Sequence, residues 1–151
     1  GGIVKEYAAD RAATLLRDQG VAHALVNLGG DICVAGPQAD DRPWRVAISD
    51  PSSPTQELRI VEVSQGALAS SGSYARCIEI EGIRYGHLLN PLTGFPVKGT
   101  LAATVVADQC IVAGSLATIA LLNEAGAARF LKDAGLPFLI ISSDGDIDDR
   151  L

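Results

Sequence analysis

One stretch of the chain, residues 86–96 (GHLLNPLTGFP), places a histidine beside residues that restrict the backbone. The residue before a proline is kept out of the α region, so Asn90-Pro91 predicts a turn. Thr93-Gly94 predicts a second turn, because glycine accepts positive φ without steric cost. Histidine changes charge near neutral pH, so His87 held beside these turns could act as a general base. The alternative is a loop histidine that only makes a structural hydrogen bond.

Two clusters of small residues could bind an anion. Residues 29–31 (GGD) and 70–73 (SSGS) would allow neighbouring backbone N–H groups to converge on a phosphate. The alternative is that both clusters form ordinary turns, in which such residues are common. His23, the only other histidine, lies between two alanines in an apolar segment. We predict that it is a hydrogen-bonded histidine within a strand.

The composition excludes several classes of protein. The 151 residues are 48% hydrophobic and 20% charged, which is typical of one globular domain with a core. The net charge of −6 argues against a nucleic-acid partner. No apolar run reaches the roughly 18 residues that a membrane-spanning helix requires. Cys33, Cys77 and Cys110 lack metal-site spacing and lie in apolar segments, so we predict small buried side chains.

The hydrophobic pattern predicts helices mainly at the two ends of the chain, with hairpin strands between them. Apolar residues at helical spacing predict a helix over residues 5–19, ended by Gly20. Two more helices are predicted, at residues 111–123 and 125–134. Strands are predicted at residues 21–28, 32–35, 44–49, 58–63, 77–80, 83–85, 102–107 and 137–142. This order favours an α+β fold over a doubly wound sheet.

Six motifs, in one order along the whole chain, resemble those of the ApbE family, the FAD:protein FMN transferases. They are residues 1–10 (GGIVKEYAAD), 27–32 (NLGGDI), 43–51 (PWRVAISDP), 70–74 (SSGSY), 86–96 and 113–118 (AGSLAT). The resemblance implies a T-fold-related architecture, with an antiparallel or mixed sheet core and flanking helices. It also implies that residues 1–151 are the C-terminal part of such a domain. The lack of methionine and the Gly-Gly start agree with that expectation.

The resemblance implies an enzyme that takes FMN from FAD and joins it to a threonine or serine of a partner flavoprotein. The new bond is a phosphoester, and AMP is released. His87 matches the family's candidate base, which deprotonates the acceptor hydroxyl. The implied partners are FAD and a flavoprotein subunit of a redox complex, in the periplasm or at the membrane of a bacterium. Two alternatives are a non-catalytic flavin-binding accessory protein and a metal-dependent FAD pyrophosphatase.

The family's metal site is only partly matched. The resemblance implies Mg²⁺ held by the Gly2 carbonyl, an acid at position 114 and the residue at 118. Some members have a further acid at position 117. Here only Thr118 keeps a side-chain oxygen, because Gly114 and Ala117 cannot supply a carboxylate. We therefore expect no Mg²⁺ to be bound without nucleotide, and at most a metal that enters with FAD. The substitution Gly114→Asp should raise the Mg²⁺ affinity, unless Lys5 already neutralises that position. The alternative for Thr118 is a helix-interior threonine that bonds back to a carbonyl.

Two further positions match family positions near the nucleotide. Lys5 and Glu6 stand where the family has a polar residue followed by glycine. Lys5 could balance phosphate charge, or it could be a solvated charge at a helix start. Leu89 would touch the flavin nucleotide through its backbone or apolar side chain, and core packing is the alternative. Because the family's pocket also uses the other half of the domain, we expect this chain alone to bind FAD poorly.

Overall fold

A computed structural model describes residues 3–74 and 76–151 as three helices and ten strands. In chain order the elements are α1 (Val4–Asp18), β1 (Ala24–Leu28), β2 (Asp31–Gly36), β3 (Trp44–Asp50), β4 (Ser53–Val63), β5 (Gly66–Gly72), β6 (Cys77–Ile80), β7 (Ile83–Gly86), β8 (Thr100–Ala107), α2 (Cys110–Leu122), a 3₁₀ turn (Glu124–Gly126), α3 (Ala127–Ala134), β9 (Phe138–Ser142) and β10 (Ile147–Asp149). No helix among the described residues is long and apolar enough to span a membrane.

The strands form one large sheet and two small ribbons. The large sheet has six strands in the order β1-β2-β5-β8-β9-β10, and each neighbouring pair is antiparallel. The ribbons are the antiparallel pairs β3–β4 and β6–β7. The predicted α+β class with an antiparallel sheet core and flanking helices is therefore confirmed.

The large sheet is covered on both faces, and β2 shows how. Its side chains alternate, as the strand period requires. Cys33 and Ala35 belong to the core that includes the helices, whereas Ile32 and Val34 pack with residues of the β3–β4 ribbon. Helices α1 and α2 present fully buried alanines to this core, namely Ala9, Ala13, Ala113, Ala117 and Ala120. Such small side chains allow the helices to lie close to each other and to the sheet.

The start of α2 is held by a side chain that is distant in sequence. Asp10 of α1 accepts hydrogen bonds from the backbone N–H groups of Cys110 at 2.7 Å and Ile111 at 2.9 Å. The first N–H groups of a helix have no partner within the helix, and a carboxylate there also opposes the positive end of the helix dipole. Asp10 therefore joins the two helices that border the candidate site.

Most predicted elements are confirmed, but two strands were missed. β5 (Gly66–Gly72) consists largely of small residues and lacks the β-branched side chains that indicate a strand. β10 (Ile147–Asp149) is a short edge strand with two acidic residues. The predicted loop at residues 50–54 is also shorter, because β4 already begins at Ser53. In each case pairing with a neighbouring strand decides the structure, and the local composition does not indicate it.

Two side chains differ from their predicted environment. His23 does not lie within a strand, because β1 begins at Ala24. It is exposed, and its Nδ1 lies 3.2 Å from the Pro37 carbonyl oxygen. Cys33 and Cys110 are buried as predicted, but Cys77 is only partly buried. The reason is that Cys77 belongs to the two-stranded β6–β7 ribbon, which lies outside the large sheet.

Candidate active site

A cavity of about 500 Å³ brings together residues from both ends of the chain. Three of the predicted site residues, Lys5, His87 and Thr118, line it. Leu89 does not appear among the lining residues, whereas its neighbour Leu88 does. Gly2 lies outside the described residues. We name the part of the wall formed by α1, β2, β5 and α2 the helix side. The part formed by residues 74, 76, 87 and 88 is named the hairpin side.

Lys5 on the helix side is paired with a buried carboxylate. Its Nζ lies 2.7 Å from Oδ2 of Asp31, and only 2% of Asp31 is exposed. A buried carboxylate requires a partner of opposite charge, so this pair stabilises Asp31 at the start of β2. Lys5 is therefore not the simple solvated charge that was one alternative.

Thr118 uses its hydroxyl to contact the neighbouring strand. Its Oγ1 lies 2.8 Å from Oγ of Ser71 in β5. The hydrogen bond joins α2 to the sheet, which differs from the alternative in which Thr118 bonds back to its own helix. A hydroxyl has one donor and two acceptor positions, so the Thr118 oxygen keeps at least one free electron pair whichever hydroxyl donates.

Only one of the two predicted anion-binding clusters is a turn. Gly29 and Gly30 adopt positive φ between β1 and β2, and they line the cavity. The N–H of Gly30 already donates to Asn27 Oδ1 at 2.9 Å. Ser70 and Ser71, by contrast, lie within β5 and pair with β8. Residues 70–72 therefore do not form the ordinary turn that was one interpretation of this cluster, because they belong to β5.

Glu6 occupies the space beside Gly114. A Cβ built on Gly114 would lie 2.6 Å from Glu6 Cγ and 3.0 Å from Glu6 Oε1. Both residues face the interior between α1 and α2, and Glu6 lines the cavity. The substitution Gly114→Asp would therefore displace the Glu6 side chain. Its expected effect on Mg²⁺ affinity stays a prediction.

His87 is the first residue after β7, on the hairpin side of the cavity. Its backbone N–H donates to the Arg76 carbonyl at 3.0 Å, and its side chain is exposed. Gly86 beside it has no room for a side chain, because a Cβ would lie 2.8 Å from the Ser73 oxygen. The backbone of Gly86 therefore lies close to Ser73, the residue that follows β5.

The loop that follows His87 has the predicted turns. The backbone of Asn90 both donates to Phe95 and accepts from Gly94, in each case at 2.8 Å. The Asn90 side chain also accepts from the Leu92 N–H at 2.9 Å. Leu89 forms a bridge with Pro96 and is 53% exposed, so the core-packing alternative for Leu89 is wrong.

Sequence reasoning assigned no side-chain role to four polar residues of the site. Asp31, Ser71 and Glu6 on the helix side and Arg76 on the hairpin side all line the cavity. The signal for Glu6 was available, because Glu6 and Gly114 are both departures from the family motifs. They were interpreted separately, since nothing in the sequence shows that the two positions are in contact.

Among the described residues, no three His, Cys, Asp or Glu side chains are grouped closely enough to hold a metal ion by themselves. The cavity does offer hard oxygen donors, the Thr118 hydroxyl and the Glu6 carboxylate. This set suits a hard cation that receives its remaining ligands from water or from phosphate oxygens.

Comparison with known proteins gives consistent matches. A sequence model of the ApbE family matches residues 1–140. The FAD:protein FMN transferase of Vibrio cholerae is 33% identical over 147 residues, covering 95% of this chain and 44% of that protein. The enzyme of the same description from Escherichia coli K12 is 32% identical over 143 residues, covering 93% and 41%. The chain thus spans less than half the length of these curated relatives.

Solved structures agree with this match. The ApbE protein of Thermotoga maritima superposes with a TM-score of 0.89 at 30% identity, covering 99% of this chain and 50% of that one. The flavin transferase ApbE of Vibrio cholerae gives a TM-score of 0.82 at 30% identity, covering 97% and 48%. The similarity therefore extends over the whole of this chain and about half of each solved protein.

Proposed function

The chain belongs to the ApbE family, and we propose that it forms the C-terminal part of an FAD:protein FMN transferase domain. The observation that carries this proposal is the single cavity lined by Lys5, His87 and Thr118, which come from three separate motifs. The curated relatives with this function match almost all of the chain.

In the proposed reaction, a hydroxyl oxygen of a threonine or serine on a partner flavoprotein forms a bond to the FMN phosphorus of FAD. The bond from that phosphorus to the bridging oxygen breaks, and AMP leaves with this oxygen. The hydroxyl proton passes to a ring nitrogen of neutral His87. A positioned base of this kind contributes roughly 10² to 10⁴ to a rate. The exposed position of His87 supports the role, because the acceptor belongs to another protein.

We propose Mg²⁺ as the cation for this site, with the Thr118 hydroxyl and the Gly2 carbonyl among its ligands. When bound, Mg²⁺ would offset the negative charge of the pyrophosphate oxygens. The fit rests on the oxygen donors of the cavity, since Mg²⁺ is commonly held by one or two carboxylates together with substrate phosphates.

Lys5 and Leu89 have proposed roles in binding FAD. Lys5 lines the cavity and is paired with Asp31, so its ammonium group would lie close to a nucleotide bound there. Leu89 would contact the nucleotide at the edge of the site, where its side chain is half exposed. The proposed protein partner is a flavoprotein subunit of a redox complex.

A flavin-transfer assay tests the proposal. The complete protein is incubated with FAD, Mg²⁺ and an acceptor flavoprotein domain, and the denatured products are examined for in-gel flavin fluorescence. We expect a covalently fluorescent acceptor together with free AMP. An acceptor whose threonine is replaced by valine is the control and remains dark. Release of free FMN and AMP without labelling would indicate a pyrophosphatase. Binding of FAD without either product would indicate an accessory protein. Both outcomes contradict the proposal.

A further inference from the structure

We propose that Glu6 supplies the carboxylate of a divalent-cation site that it forms with Thr118, and that Gly114 is a glycine because Glu6 occupies its side-chain space. The role of this cation in FMN transfer rests on the proposed function. The existence of the site does not, because it follows from contacts between α1 and α2.

The first argument is steric. A Cβ on Gly114 would lie 2.6 Å from Cγ of Glu6, a separation that real Cβ atoms essentially never show. The Glu6 carboxylate is therefore directed at the place from which a residue-114 side chain would project. One carboxylate fits between the helices, and it is carried by α1 instead of α2.

The second argument is the unpaired state of the carboxylate. Glu6 Oε2 is buried, and none of the described residues donates a hydrogen bond to it. Glu6 also takes part in none of the ion pairs among residues 3–74 and 76–151, and the nearby Lys5 is paired with Asp31. A buried carboxylate oxygen without a partner is costly, so a positive ligand at this point would remove the cost.

The third argument is the position of a second oxygen donor. Gly114 and Thr118 are four residues apart on α2, so they share one face of the helix. Because Glu6 lies against Gly114, its carboxylate is one helical turn from Thr118. Both side chains line the cavity. A carboxylate and a hydroxyl are hard donors, which favours Mg²⁺ or Mn²⁺ over metals that prefer sulfur or nitrogen ligands.

The sequence agrees with an exchange of these two positions. The ApbE motif has glycine at the position of Glu6 and an acid at the position of Gly114, and this chain has the reverse. Gly114 alone would remove the acid of the motif, and Glu6 alone would conflict with a side chain at position 114. Together they keep one carboxylate and one empty position at the contact between α1 and α2.

Mn²⁺ binding to the complete protein without FAD tests the inference. The metal is titrated alone, and free Mn²⁺ is measured by electron paramagnetic resonance. We expect Glu6→Gln to weaken Mn²⁺ binding roughly tenfold or more. Even the loss of a residue that only hydrogen-bonds to a metal ligand lowers metal affinity by about that factor. Thr118→Val, which removes the second donor, should also weaken it. The matched control is Asp18→Asn, which removes a negative charge from an exposed position on the same helix.

The exchange of residues between positions 6 and 114 can be reversed by mutation. The double variant Glu6→Gly/Gly114→Asp returns the carboxylate to α2, and we expect it to bind Mn²⁺ within about threefold of the wild type. Thermal melting shows which variants are folded. Equal Mn²⁺ affinity in the wild type and Glu6→Gln, or no binding by the wild type, would overturn the inference. Glu6-dependent binding in a protein that transfers no FMN would contradict only the proposed function.

Discussion

The helix side and the hairpin side of the cavity are held together by different contacts. On the helix side, Asp31 is almost fully buried, and the hydroxyl of Thr118 is bonded to the sheet. On the hairpin side, His87 is exposed, and its backbone N–H donates to the carbonyl of Arg76 across the base of the β6–β7 hairpin. The β6–β7 ribbon also exposes the large apolar side chains Ile78, Ile80 and Ile83.

The difference matches the two tasks of the proposed reaction. Charged groups that face a pyrophosphate are most effective when they are held rigidly and kept from bulk water, because their positions then need no rearrangement. A base that accepts a proton from another protein must remain accessible to it. In the proposed reaction, the helix side would therefore provide the charges, and the hairpin side would provide the group that a protein partner can reach.

The largest expected effect is on the hairpin side. The substitution His87→Ala should lower the rate of FMN transfer by roughly 10² to 10⁴ while leaving FAD affinity nearly unchanged, because a base acts only in the chemical step. Rates come from in-gel flavin fluorescence, and affinity comes from FAD titration. His23→Ala is the matched control, since His23 is also exposed but lies outside the cavity. Wild-type transfer by His87→Ala would show that the base is another group.

On the helix side, the largest effect on stability should come from Lys5→Met. It removes the ion partner of the buried Asp31 and should lower the free energy of unfolding by about 1–3 kcal/mol in urea denaturation. Arg42→Met is the control, because both members of the Asp40–Arg42 pair are exposed and such pairs contribute less than about 1 kcal/mol. Equal losses in the two variants would show that burial does not distinguish these pairs.

A smaller effect on stability is expected from Asp10→Ala. Two N–H groups at the start of α2 would lose their partner, which should cost about 1–2 kcal/mol of unfolding free energy. Asp18→Ala, on the exposed end of the same helix, should change stability by no more than about 0.5 kcal/mol. If Asp10→Ala lowered the unfolding free energy no more than Asp18→Ala, water would be replacing Asp10 as the partner of the two N–H groups.

The smallest expected effect is a difference in thiol reactivity between the cysteines of the two regions. Burial and the neighbouring Asp10 raise the pKa of Cys33 to about 11, and burial with nearby acids raises the pKa of Cys110 to about 12. A raised pKa leaves little thiolate at pH 8, and the thiolate is the reactive form. We expect an aromatic disulfide reagent to label Cys77 of the partly buried hairpin first, and the other two only after unfolding. Simultaneous labelling of all three cysteines would contradict the difference between the regions.

The features that could be predicted from the sequence are those that depend on neighbouring residues. The helical spacing of α1 appears as predicted, and the left-handed glycine Gly135 follows α3. A tight turn at Glu81-Gly82 joins the two strands that were predicted at residues 77–80 and 83–85. The two residues of that turn have positive φ, which matches the twist of a tight hairpin. β5 could not be predicted, because its small side chains form a strand only between two partners.

The sequence by itself determined the α+β class, most of the local elements and the loop that begins at His87, because these depend mainly on residues only a few positions apart. Only the tertiary structure decided which polar side chains meet. Lys5 pairs with Asp31, Asp10 holds the start of α2, and Glu6 fills the space beside Gly114. These contacts join distant parts of the chain, and they depend on side-chain volume and burial, which the spacing of residues along a sequence does not specify.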